Sequence, residues 1–313
     1  MHIPEGFLSA GVATTMNLIS IASIVYSIKK VKPYFTKPRA LLAAATAALI
    51  FALQMLNFPV AEGTSGHFMG AALAGILLGP VGAIITLAAV LIIQCLVFGD
   101  GGVLALGANI FNLGIVGGLV AYYTYKWLNA MYGGMAGLLF AVFVSSWLTI
   151  VMASVSCGIM LGVSGTAPTS DVLRSMTSIH MLIGIGEGMI TLIIMLVISK
   201  VKPALLDIKA CLDMQEVVKP CIVGCGVALF LAIFLSPYAC PFLDGLEKVA
   251  ENHNFLYIAE GKEIFPAPIP DYVFPGIKSE AIATSISGLA GTLITFLFLF
   301  LATGIFMSKK HEY

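Results

Sequence analysis

Nine apolar runs, at about 7–28, 40–57, 67–79, 81–98, 103–125, 134–160, 179–199, 218–236 and 281–307, are separated by short polar stretches along the chain. They are continuous rather than alternating, so they predict helices and not the strands of a barrel. Helices also satisfy every backbone group within the segment, as lipid requires. Most runs approach the roughly 20 residues that a helix needs to cross a bilayer. The third is short and ends at Gly79-Pro80, which predicts a short helix meeting the next at a tight turn. The pattern predicts an all-α integral membrane protein with about nine transmembrane helices.

The polarity changes after Ile198. The stretch SKVKPALLDIKACLDMQEVVKP is mixed and reads as a cytoplasmic linker. Beyond it come one apolar run, a polar outer segment and a last apolar run. The chain therefore divides into a module at 1–205 and an appended two-span module at 206–313. Small residues at four-residue spacing (Gly114/Gly118, Gly184/Gly188, Ala71/Gly75/Gly79, Ser287/Gly291) let helix backbones approach closely. They predict packing within the bundle.

Charge sets an orientation. If the N-terminus lies outside, the inner segments carry Lys29, Lys30, Lys32, Lys37, Arg39, Lys126, Lys200, Lys202, Lys209, Lys219, Lys309 and Lys310, twelve of the sixteen basic residues. Only Arg174, Lys248, Lys262 and Lys278 fall outside, a positive-inside bias. Nine crossings then leave the C-terminus in the cytoplasm. Met1, His2, His67, His180 and His253 share the outer face with most carboxylates, which concentrates cations in a salt-dependent way. Composition agrees with a membrane protein: 59% of the 313 residues are apolar and 10% charged, against about 25% charged in a soluble domain. Zero net charge gives no basic field, so no nucleic-acid partner is expected. The six cysteines form no CxxC pair and read as small buried apolar residues.

The first residues, MHIPEGFLSAG, lack the basic start and small-residue cleavage site of a signal peptide, so Met1 is expected to stay. A free Met-His end offers the α-amine, the backbone nitrogen of His2 once its proton is displaced, and the His2 imidazole. With the imidazole of His67, in TSGHFMG, that makes four nitrogens. Such a set suits a square-planar Ni(II) or Cu(II) ion, and binding must release protons. Pro4 stiffens the tail and Gly6 permits a turn that folds it back. The same residues also read as a frayed terminus with an incidental histidine.

Other polar residues lie in apolar runs. Glu187 is costly in a membrane span and calls for a role; it lies seven residues from His180, on the same helix face. The pair reads as orienting ligands or balancing metal charge, or as an internal hydrogen bond between helices. Asn109 and Asn112 share a face and could bond the TSGH loop or an imidazole, as could Gln54 and Asn57, or act as glue between helices. Asp100, in FGDGG, reads as a turn residue. Asp244 and Glu247 read as an N-cap and its partner three residues on, or as transient metal capture.

MHIPEGFLS, QMLNFPVAEGTSGHFMG, LVFGDGGVLALGANIFNLGIVGG and HMLIGIGEGMIT, in order over most of residues 1–200, resemble the CbiM/NikM family. Its members are substrate-binding membrane components of energy-coupling-factor transporters for cobalt and nickel. The resemblance implies metal held by the Met1 amine, the amide and imidazole nitrogens of His2, and His67. Glu5 stands where the family has Asp. CPFLDGLEKVAENHNF is similar to the PDGLE motif of a small accessory component, with Phe242 and Leu243 between proline and Asp244, and implies a role in loading or transport. It also implies a prokaryotic cell membrane and two kinds of partner: a transmembrane coupling subunit and a pair of cytoplasmic ABC-type ATPases. The chain itself shows no Walker A pattern and no aspartyl-phosphate motif, so it is not read as an enzyme. No permanently bound cofactor is expected; Ni²⁺ or Co²⁺ is the ligand carried. Displacing an amide proton in a planar field favours Ni(II). A self-sufficient secondary carrier is the alternative, which an internal repeat would support; none is visible. A membrane enzyme or sensor would need an open metal position and a base beside it.

Overall fold

The computed structural model describes residues 1–32, 35–208 and 210–306. Lys209, Lys309 and Lys310 of the charge argument lie outside the described residues. The chain forms helices α1 (Ala10–Val31), α2 (Lys37–Gln54), α3 (Ala71–Phe98), α4 (Leu106–Tyr132), α5 (Gly134–Val163), α6 (Thr169–Val201), α7 (Met214–Tyr238), α8 (Gly245–Asn252) and α9 (Glu280–Phe306). A two-strand hairpin, β1 (Phe58–Pro59) and β2 (Ser65–Gly66), turns at Glu62 and Gly63, both with positive φ.

Among the described residues seven helices, α1, α3, α4, α5, α6, α7 and α9, are long and apolar enough to cross a membrane. The two remaining apolar runs are helical as well. One is α2, whose start carries Lys37 and Arg39 and whose Ala-rich body is buried nearly all round; helices of that kind lie inside a bundle. The other is the first third of α3. That rod breaks at Gly79, where φ is 72° and ψ 174°, ahead of Pro80. The residue before a proline avoids the helical region, and glycine alone reaches this conformation at no cost. The turn expected at Gly79-Pro80 is this break.

Small residues mediate close packing inside the chain. A Cβ on Gly75 would lie 3.0 Å from Ala121, and Gly184 and Gly188 of α6 receive Trp147 and Phe143 of α5. In the appended part, α9 lies on α2, with Gly291 directly against Phe51 and Phe98. Three helices widen into π-type turns, at Gln94–Phe98 where α3 ends, and at Phe111–Gly117 and Leu231–Leu235 within α4 and α7. Such turns re-aim side chains and gather at functional sites.

Residues 1–7 do not fray. Met1, Ile3 and Phe7 are buried, between the core helices and the outer segment of the appended part. Gly6, at φ 86°, makes the turn, and a Cβ there would strike Ile258 O at 2.8 Å.

Gly291→Val is expected to lower the melting midpoint of the detergent-solubilised chain, since overpacking a tight contact costs about 1–3 kcal/mol. Gly224→Val, where nothing lies within 4 Å, should change it little.

Candidate metal centre

Residue 3 is the anchor of the N-terminal segment. Asn109, on α4, accepts from Ile3 N at 2.8 Å and donates to Ile3 O at 3.2 Å. Gly102 N donates to the same carbonyl at 2.9 Å. A Cβ on Gly102 would lie 2.6 Å from Glu5 N, and one on Gly101 2.9 Å from the Asn109 amide. The FGDGG loop is thus a backbone cradle that only glycine can form. Glu5 Oε1 accepts from Leu104 N at 3.0 Å, and Thr166 Oγ1 donates to Phe7 O at 2.5 Å.

This anchoring delivers Met1 and His2 to His67. The Met1 amine lies 2.6 Å from His67 Nε2. His67 Nδ1 is 3.1 Å from Phe68 O, an oxygen that only accepts, so Nδ1 carries the ring proton and Nε2 is bare toward the amine. The His2 and His67 rings have centroids 5.2 Å apart. His2 Nδ1 meets Asp100 Oδ1 at 2.6 Å, and its buried Nε2 has no hydrogen-bond partner among the described residues.

A second carboxylate comes from the appended part. Asp244 Oδ1 accepts from Leu246 N and Glu247 N at 2.7 and 2.8 Å, capping α8. Its Oδ2 accepts from the Met1 amine at 2.6 Å and lies 3.7 Å from His67 Nε2. Glu247 completes the capping box, Oε2 accepting from Asp244 N at 2.9 Å. The cap reading is right, and one carboxylate does more than cap. The residues before it extend the hairpin: Leu243 pairs parallel to Thr64, and Leu243 O accepts from Ser65 N at 2.8 Å. The Phe242-Leu243 insertion thus runs beside the TSGH strand.

The helix-borne residues divide by task. Glu187 accepts from Met69 N and Gly70 N at 2.6 and 2.9 Å, fixing the backbone just after His67. His180 donates Nδ1–H to Met176 O at 2.7 Å. It lines, with Met1, Gly66, His67, Met69, Ile183 and Gly245, a cavity of about 10 Å³, enough for one water-sized object. Asn109 and Asn112 take the structural reading: Asn109 bonds the backbone of Ile3, and the Asn112 amide meets Met160 Sδ on α5 at 3.9 Å. One expectation needs correcting. Asp100 is not a plain turn residue: it bonds His2, and its Oδ2 accepts from Tyr272 of the appended part at 2.6 Å.

Charges follow from these contacts. Burial pushes the Asp244 carboxyl up, but the charge of the amine beside it outweighs burial and holds it well below the ordinary range. For Asp100, burial is likewise outweighed by His2 and by the Tyr272 hydroxyl. His67 is lowered, first by burial and then by the amine's charge, so it stays a neutral donor of its lone pair. Glu247 is raised by burial and by Asp244.

Comparison with known proteins bears on this arrangement. Residues 2–205 match the model of the CbiM family, "Cobalt uptake substrate-specific transmembrane region", and residues 218–308 match the PDGLE domain. The chain is 36% identical over 300 residues to the "Putative fused nickel transport protein NikMN" of Archaeoglobus fulgidus, covering 94% of this chain and 95% of that one. It is 30% identical to the "Cobalt transport protein CbiM" of Ruminiclostridium cellulolyticum over 64% of this chain and 83% of that one. A solved structure described as a transition metal transporter superposes with a TM-score of 0.58 at 31% identity, covering 64% of this chain and 93% of its own.

Asn109→Ala would strand Ile3 N, at a cost of about 1–3 kcal/mol. Faster hydrogen exchange is expected in residues 1–7, with Met69 and Gly70 unaffected. Glu187→Ala should give the opposite pattern.

Proposed function

The chain belongs to the family of cobalt uptake substrate-specific transmembrane proteins, and from that membership we propose that it is the metal-binding subunit of an ATP-driven energy-coupling-factor importer of Ni²⁺ or Co²⁺. It is a multi-pass membrane protein of a prokaryotic transport family, not an enzyme. The observation that carries the finer reading is the buried N-terminal amine, 2.6 Å from His67 Nε2 with the His2 ring beside it. That contact sets two nitrogen donors side by side, with Asp244 as the counter-charge to the amine.

In this reading residues 1–205 bind the ion and 206–313 assist. The nine helical runs cross the membrane with the N-terminus outside and the C-terminus in the cytoplasm. The amine, the His2 backbone nitrogen, the His2 imidazole and His67 are the ligands. Only Nδ1 of His2 can close a ring with its own backbone nitrogen, and that atom meets Asp100 Oδ1 at 2.6 Å. Binding the ion through Nδ1 therefore turns the imidazole off Asp100. Glu187 fixes the His67 loop, Asn109 fixes residue 3, and Asn112 and His180 line the surrounding core. Asp244, braced by Glu247, holds the amine in place and offsets the ion's charge. Energy comes from partners: a transmembrane coupling subunit and two cytoplasmic ATPases, which drive release inward.

Equilibrium binding of Ni²⁺ and Co²⁺ to the purified chain tests this, beside a variant extended before Met1 by a His-free segment of about ten residues, long enough to remove the free end from its anchor. The extension is expected to abolish binding, and the tighter ion names the cargo. Retained binding would refute the site.

Displacing one proton from the ammonium and one from the backbone amide makes binding proton-linked. Affinity should fall as pH falls. Because His67 is held below the usual imidazole range, its own proton adds little near neutrality. A pH-independent affinity would contradict the ligand set. In membrane vesicles, uptake is expected only when the coupling and ATPase subunits are co-expressed; uptake by the chain alone would favour a secondary carrier.

A further inference from the structure

Tyr272 lies in the outer segment of the appended part, far in sequence from every proposed ligand. Its hydroxyl donates to Asp100 Oδ2 at 2.6 Å and accepts from Gln94 Nε2 at 3.2 Å. Gln94 opens the π-type turn that ends α3. The Tyr272 ring stacks on Phe98, with centroids 4.7 Å apart and planes 16° from parallel. The backbone that delivers it is strained. Asp271 and Tyr272 have φ of 52° and 58°, a left-handed conformation that side-chain-bearing residues rarely adopt. Two consecutive such residues are held so that one hydroxyl meets one carboxylate.

That carboxylate is the one on His2. Asp100 is 28% exposed along its side chain, and a carboxylate held at one oxygen alone can pivot about its Cβ–Cγ bond. With Oδ2 fixed by Tyr272, Oδ1 stays on the His2 ring. A carboxylate beside a metal-binding imidazole sets which nitrogen carries the proton and how the ring lies. Asp100 meets Nδ1 at 2.6 Å; once the ring turns to give Nδ1 to the ion, Nε2 bears the proton, and Asp100, still held by Tyr272, is the carboxylate placed to accept from it.

We propose that Tyr272 is a positioning residue for the transported metal: by fixing Asp100 beside the His2 ring it supplies the acceptor that holds the imidazole once Nδ1 has turned to the ion, so that the appended module completes the site without touching the ion. The inference rests on the reading of His2 as a ligand. It gives the fused module a physical role at the His2 side of the site, separate from that of Asp244 at the amine.

The test is equilibrium Ni²⁺ binding to the full-length chain and to Tyr272→Phe, Asp100→Asn and the double variant, with the visible spectrum of the bound ion recorded for each. Tyr272→Phe keeps the ring on Phe98, so its metal-free melting midpoint should stay near that of the unaltered chain. Its affinity is expected to fall about tenfold, the lower end for loss of a partner behind a metal ligand, with a shifted spectrum. The double variant should bind no more weakly than Asp100→Asn alone, since both changes act through one contact. Unchanged affinity and spectrum, tighter binding, or fully additive losses would overturn the proposal. The extended chain separates the two levels. If it loses binding while Tyr272→Phe does not, the positioning role fails and the site stands. If it still binds, the site itself fails.

Discussion

A charged amine is held where only 2% of Met1 meets solvent, and the outer end of the molecule is arranged around that fact. A buried charge without partners costs far more than a fold of ordinary stability can spare. Asp244 supplies the opposite charge and His67 supplies a bare nitrogen. Neither would lie there unless residue 3 fixed the chain's direction, and Ile3 is clamped at both its N–H and its carbonyl. The glycines at 101 and 102 follow from the same need, because a side chain at either would displace the segment they support.

The carboxylate that answers the amine comes from the appended part, so the two halves of the chain share one electrostatic unit. Asp244 can serve the amine because its other oxygen is spent on the first turn of α8, where two backbone N–H groups and the helix dipole hold it. It is therefore a rigid anion rather than a mobile one. The strand pairing of Leu243 with Thr64 sets its height above His67. Hairpin, cap and ion pair are successive residues of the same two short stretches, and moving any one moves the others.

What the sequence revealed and what it hid follow from distance along the chain. The nine apolar runs are helices, because periodicity and continuity are local properties. The Gly79 break was legible because Gly-Pro is a local signal. The capping box of Asp244 and Glu247 was legible because it spans four residues, and the Met-His end raised the expectation of metal chemistry because its donors are adjacent. Asp100 looked like a turn residue because its partners, His2 and Tyr272, stand 98 and 172 positions away. Asn109 was recognised as polar and buried, but nothing in the sequence distinguishes a backbone acceptor at Ile3 from a histidine. The second duty of Asp244 was hidden for the same reason: a cap is visible in four residues, an ion pair across 243 is not.

The charge balance of the proposed site explains why a membrane protein would use its own terminus. In the empty state the ammonium contributes one positive charge against Asp244 and Asp100. A divalent ion that displaces one proton from the ammonium and one from the His2 amide brings two positive charges and leaves one negative nitrogen. Two positive charges enter and two protons leave, so the exchange adds no net charge to the ligand set. A poorly solvated pocket penalises changes in net charge more than the presence of a matched pair. An ordinary site of neutral imidazoles would gain the full double charge on loading and need further anions. In the proposed site the Met-His end would instead exchange protons for metal, so that Asp244 and Asp100 balance the charge before and after binding alike. The same two carboxylates can then remain in place throughout, which is why their rigid mounting is an advantage.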